Sequence, residues 1–157
     1  MTDKENRGLA VAAGDGEYVP NPLTDLNFIA SAEQTNGAML VLESIAPPGE
    51  GPPLHVHTRE EEAIYVVSGD FRWKLGDTLS DAPAGSFAFI PRGVAHAWQN
   101  VGDEPGTLFI TFVPAGMEAF FERFARATEF DPEEFRAAGA EAGMETVGPP
   151  LAVSDPL

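Results

Sequence analysis

The 157-residue chain has no cysteine, so neither a disulfide nor a thiolate ligand can contribute to its stability or its chemistry. Positive charge is scarce: 9 Lys and Arg stand against 25 Asp and Glu, a formal net charge of −16. With a pI near 4.3, a broad basic surface for nucleic acid or for an anionic membrane is excluded, and a small-molecule partner is expected. Long apolar runs are missing too, since no stretch approaches the roughly 20 residues of a membrane helix. Met1–Arg7 lacks the apolar run of an export signal, which makes a cytoplasmic location the expectation. Histidine is also rare, with three in the whole chain.

Those three histidines fall in two short segments. One reads Gly49-x5-His55-x-His57-x4-Glu62-x6-Gly69, the other Gly85-x5-Pro91-x-Gly93-x2-His96-x3-Asn100. Residues two apart on a strand project to the same face, so His55 and His57 can aim at one point. A turn over Thr58–Glu61 returns Glu62 on the next strand, and His96 arrives on another strand after a Pro91-Arg92-Gly93 turn. Each piece alone has a plainer reading: a surface His pair, a hydrogen-bonded half-buried His, a solvated acidic turn. The agreement of both segments in glycine, proline and asparagine as well favours a shared metal site. Three imidazoles and one carboxylate suit one divalent transition metal ion, Fe, Ni, Co, Mn, Cu or Zn.

These segments resemble, position for position, the two signature motifs of the cupin superfamily. The resemblance covers roughly residues 38–114 and implies an all-β fold, a double-stranded β-helix or jelly-roll barrel, with His55, His57, Glu62 and His96 as metal ligands. The text from Pro53 to Gly69 is further similar to small single-domain bacterial cupins of the quercetinase type. That similarity implies a dioxygenase that binds a flavonol-like or enediol substrate on the metal and cleaves it with O2, Glu62 taking the substrate's hydroxyl proton. Two alternatives stand beside it: a non-oxidative metal-dependent cyclase, isomerase or lyase of a polyketide-like metabolite, and a ligand-binding cupin without catalysis. Small cupins also pair through sheet edges, so a homodimer is expected.

Along the chain, residues 1–25 read as an irregular Gly- and Pro-rich arm with little chemistry, 26–114 as the barrel, and 115–157 as C-terminal helices and a tail, together one domain. Apolar and β-branched runs predict about eight strands in a meander, with strands over 26–32 and 38–45 joined by a Thr35-Asn36-Gly37 turn. After Pro114 the period changes: Met117, Phe120, Phe121 and Phe124 share one face of a helix over 116–126, and this stripe reads as packing against the barrel. Asp131-Pro132 starts a second helix that fades at Gly139 or Gly143. The tail from Gly148 reads as extended, packing on a neighbour. Alternation nominates Phe28, Met39, Tyr65 and Phe71 as walls of a substrate pocket, and with them Trp73, Phe89, Trp98 and Phe109. Trp98 leads, because it shares the face of His96.

Overall fold

In the computed structural model, which describes residues 8–125 and 127–157, two antiparallel sheets face one another. Met1–Arg7, on which the export reading rests, and Arg126, the last residue of the helix predicted over 116–126, lie outside the described residues. The strands are β1 (Glu17–Val19), β2 (Asp25–Ala30), β3 (Leu40–Ala46), β4 (Pro53–His57), β5 (Glu61–Ser68) and β6 (Asp70–Leu75), then β7 (Thr78–Pro83), β8 (Phe87–Ile90), β9 (His96–Asn100), β10 (Gly106–Val113) and β11 (Met144–Pro150). One sheet runs β1-β2-β3-β10-β5-β8, the other β11-β4-β9-β6-β7. From β3 onward every connection except β6–β7 therefore crosses between the sheets, as in a jelly roll, in place of the predicted meander.

The pleat explains the core. On β5, Glu62, Ile64 and Val66 point inward while Tyr65 and Val67 face solvent; on β10, Leu108, Ile110 and Phe112 point inward while Phe109 does not. Leu40 and Leu42 from β3 and Phe71, Trp73 and Trp98 from the opposite sheet complete the interior. Each large side chain so buried contributes roughly 1.5–3 kcal/mol.

Local chemistry sets the remaining differences from the sequence reading. The strand predicted to Ala32 stops at Ala30, because Ser31 and Gln34 form a capping box that starts the short helix α1 (Ala32–Thr35). Asn36, with φ 55°, closes that helix. β7 escaped prediction because its sequence, TLSDAP, is polar and mostly exposed; it is held as a hairpin partner of β6.

After the barrel come α2 (Glu118–Arg123), α3 (Pro132–Ala142) and α4 (Leu151–Ser154). α3 begins as predicted, with the Asp131 carboxylate accepting from the Glu133 and Glu134 amides, and ends at Gly143 with φ 80°. Met144–Thr146 pair with His57–His55, which adds β11 to the sheet of β4 and β9. The tail beyond Gly148 is not extended throughout: it turns into α4, whose Leu151 is buried on its own chain and accepts from Arg72. No helix among the described residues is long and apolar enough to cross a membrane.

Candidate metal centre

The two motifs meet because β4 and β9 are antiparallel neighbours with His55 directly opposite His96. His57 follows two residues along on the same face, and Glu62 reaches across from β5 in the facing sheet. The turn before β9 is fixed on the first motif, since the Gly93 amide donates to the His57 carbonyl at 2.9 Å. Gly93 holds φ 82°, a conformation that costs other residues strain. At the far end of the barrel Gly69, φ 92°, lies where a Cβ would stand 2.8 Å from the Gly106 Cα. Asn100, fully buried, donates to the Ala46 and Glu104 carbonyls and accepts from the Gly102 amide, a purely structural knot.

His55, His57, Glu62 and His96 are all buried, and one donor atom from each lies within 4.8 Å of the others. His96 Nε2 is 2.7 Å and His57 Nε2 3.4 Å from the same oxygen, Glu62 Oε2. Two rings have their tautomer set from behind: His55 Nδ1 donates to the Pro53 carbonyl at 2.7 Å and His96 Nδ1 to the Val94 carbonyl at 2.9 Å. Their Nε2 atoms then face the centre, the arrangement that orients metal-bound imidazoles. Metal bonds of roughly 2.0–2.2 Å place donors on one ion within about 4 Å of each other, so this spread closes with small shifts. The cluster is suited to a single metal ion.

The electrostatics agree. Burial raises the Glu62 carboxyl, but the neighbouring His96 charge and hydrogen bonds from His57 and His96 outweigh it and hold the group well below the usual carboxylate range. Burial lowers His96, yet the Glu62 carboxylate beside it wins and the ring stands above its ordinary 6.5. The ring's two nitrogens each face an acceptor, the Val94 carbonyl and the Glu62 carboxylate, which favours its protonated form. His55 is driven well below 6.5 by burial and by the other two histidines, so its Nε2 lone pair is available. Glu60, buried next to the cluster, is raised by desolvation.

A cavity of about 80 Å³ opens from the cluster. His55, His57, Glu62 and Trp98 form its floor, Leu42, Ile110 and Phe112 part of its barrel wall. The opposite wall is the C-terminal segment: Met117, Phe120, Phe121 and Phe124, with Phe130, Phe135 and Met144 behind. Asn21 to Thr24 of the arm close one side, where the Ser44 hydroxyl donates to Thr24 Oγ1 at 3.0 Å.

Of the eight residues nominated as pocket walls, Trp98 alone lines this cavity. Tyr65, Phe89 and Phe109 occupy outward positions of their strands, and Met39 is exposed just before β3, so strand parity takes them away from it. Phe28, Phe71 and Trp73 are buried elsewhere in the core, Phe71 edge-on to Trp98 at 5.8 Å. Conversely, the helical stripe read as packing is also a cavity wall, and the arm supplies another. Helical spacing signals a buried face without telling what that face meets.

Comparison with known proteins agrees with this architecture. The model of the cupin domain family matches residues 42–112. Over 84 residues the chain is 33% identical to Protein SchB of Streptomyces halstedii, a stretch covering 54% of this chain and 59% of SchB, so the chain spans less than two thirds of that relative. An RmlC-like cupin from Shewanella frigidimarina superposes with a TM-score of 0.60 at 23% identity, covering 72% of this chain and 96% of that one. The polyketide cyclase RemF of Streptomyces resistomycificus gives 0.58 at 21%, covering 68% and 80%. Residues 42–112 are thus similar to the cupin domain family, and that stretch holds a buried His, His, Glu, His cluster suited to one metal ion.

Proposed function

We propose that the protein is a metal-dependent cupin enzyme whose substrate is a flat, largely aromatic small molecule carrying adjacent oxygens. The best reading is a dioxygenase of a flavonol-like or enediol compound. The observation that carries it is a cluster of four convergent donors, three of which, His55, His57 and Glu62, form the floor of a cavity walled by phenylalanines. His55, His57, Glu62 and His96 would hold the ion, which when bound supplies Lewis acidity and a site for ligand oxygen. The chain's own residues do the rest. Phe112, Phe120, Phe121 and Trp98 sandwich an aromatic ring and exclude water, which strengthens every polar contact at the floor. Glu62, ionised and 2.7 Å from His96, is placed to take a hydroxyl proton as substrate arrives.

A second reading keeps the site and drops oxygen. RemF, alike in fold, is named a polyketide cyclase, and an aromatic cavity above a Lewis-acidic floor serves cyclisation equally well. Loading the protein with Fe, Ni, Co, Mn, Cu or Zn in turn and following O2 uptake with quercetin separates the two. Substrate-dependent O2 consumption supports the dioxygenase; ring-closed product from a polyketide-like substrate without O2 uptake supports the cyclase.

A homodimer formed along sheet edges belongs to the same proposal. The edge strand β7 is largely exposed, and its outer side is unpaired among the described residues. Sedimentation velocity tests it.

A further inference from the structure

Of the three histidines in the cluster, His57 stands apart. His55 and His96 each anchor Nδ1 on the carbonyl two residues back, whereas His57 Nδ1 is buried without a hydrogen-bond partner among the described residues. The other orphan beside it is a carboxylate oxygen: Glu60 Oε2, also buried and unpartnered, lies 3.8 Å from His57 Nδ1. Glu60 occupies the turn between β4 and β5, where acidic residues ordinarily point to solvent, yet it is 2% exposed. Its other oxygen faces Gly116, where an added Cβ would come within 3.2 Å of Oε1. A buried donor and a buried acceptor, each costly when unpaired, thus face one another about 1 Å beyond hydrogen-bond length.

We infer that Glu60 is the positioning residue of the metal centre, accepting the Nδ1 proton of His57 and so turning the Nε2 lone pair onto the ion. The inference rests on the metal-binding reading above. A neutral imidazole that coordinates through Nε2 must carry its proton on Nδ1, and in this interior that N–H finds its acceptor in Glu60. The pairing completes a set in which all three ligand rings are held from behind, two by backbone and one by side chain. Glu60 touches neither metal nor substrate.

The test is Co(II) titration with chelator competition on the full chain, comparing wild type with Glu60→Leu and Glu60→Gln, beside thermal unfolding of each metal-free protein. Leu removes the acceptor; Gln keeps a carbonyl oxygen that can accept the same proton. Glu60→Leu is expected to bind Co(II) roughly 10- to 100-fold more weakly, with Glu60→Gln recovering most of the loss. The metal-free Leu variant should unfold no lower than wild type, because the Glu60 oxygen facing His57 has no partner there. In metal-loaded wild type, nitrogen NMR should place the His57 proton on Nδ1 in a hydrogen bond that Glu60→Leu abolishes. Equal Co(II) affinity in wild type and Glu60→Leu overturns the positioning role and leaves the metal site standing. A Leu variant that loses stability without metal in proportion to affinity makes Glu60 a structural residue and overturns it too. If wild type itself binds no Co(II), the metal reading fails and takes this inference with it.

Discussion

The cavity has two walls of different origin. The barrel side is built by strand register: His55 opposite His96 on β4 and β9, Glu62 inward on β5, each fixed by sheet hydrogen bonds and by ring nitrogens tied to backbone carbonyls. The far side is built by α2, α3 and the segment between them, whose phenylalanines pack on one another at ring separations of 5.1–5.8 Å along Phe120, Phe124 and Phe135. One wall supplies the donors and the other supplies apolar area, and the two touch where Phe112 lies between His57 and Phe121. Mutating each wall in turn tests how far metal binding and packing are separable.

The largest effect belongs to the barrel wall. His55→Ala combined with His96→Ala should abolish stoichiometric metal binding while far-UV circular dichroism stays that of a folded β protein; retained metal would place the ligands elsewhere. Next is the helical wall. Phe120, buried and in edge contact with Phe121, Phe124 and Phe135, should cost about 3–5 kcal/mol on truncation to Ala in chemical denaturation, with metal stoichiometry at saturation unchanged. Loss of both together would mean that the two walls are one unit.

A pH dependence follows from the floor. In metal-free protein the His96 shift is upward from 6.5, so its stabilising contribution is complete below 6.5 and fades as pH rises through the raised value. The Glu62 shift is downward from 4.5, so its contribution is complete above 4.5 and fades as pH falls through the lowered value. The pair therefore stabilises metal-free protein best between 4.5 and 6.5. Metal must displace the proton on His96 Nε2, so affinity should weaken by about tenfold per pH unit below the raised His96 value. Isothermal titration in two buffers of different ionisation heat reads the released proton directly. The smallest effect lies outside both walls: Phe87→Ser, at a side chain 63% exposed on the outer face of β8, should leave metal binding unchanged and alter stability by less than about 0.5 kcal/mol.

The same contrast decides what was legible in the sequence. His55, His57, Glu62 and His96 stood out because a metal site needs few residue types at spacings that strand geometry dictates, and the structure brings those four together. The jelly roll was legible through the same motifs. The wall residues were not. Tyr65, Phe89 and Phe109 look like pocket residues in composition, but each sits at odd parity to the inward Glu62, Ala88 or Leu108 of its strand. Counting parity from Glu62 would have turned Tyr65 outward from sequence alone. The stripe of Met117, Phe120, Phe121 and Phe124 gave the buried face of α2 (Glu118–Arg123) without its target, because periodicity encodes burial and not the partner. β11 was hidden by its Gly-Pro-Pro ending, which reads as a loop until β4 is present to pair with Met144–Thr146.

The central claim is that the four donors form one metal centre, and elemental analysis after reconstitution and exhaustive desalting tests it most directly. The account predicts one transition metal ion per chain in wild type and none above background in the His55→Ala, His96→Ala variant. A wild type that retains no metal, or a variant that retains as much as wild type, would contradict it.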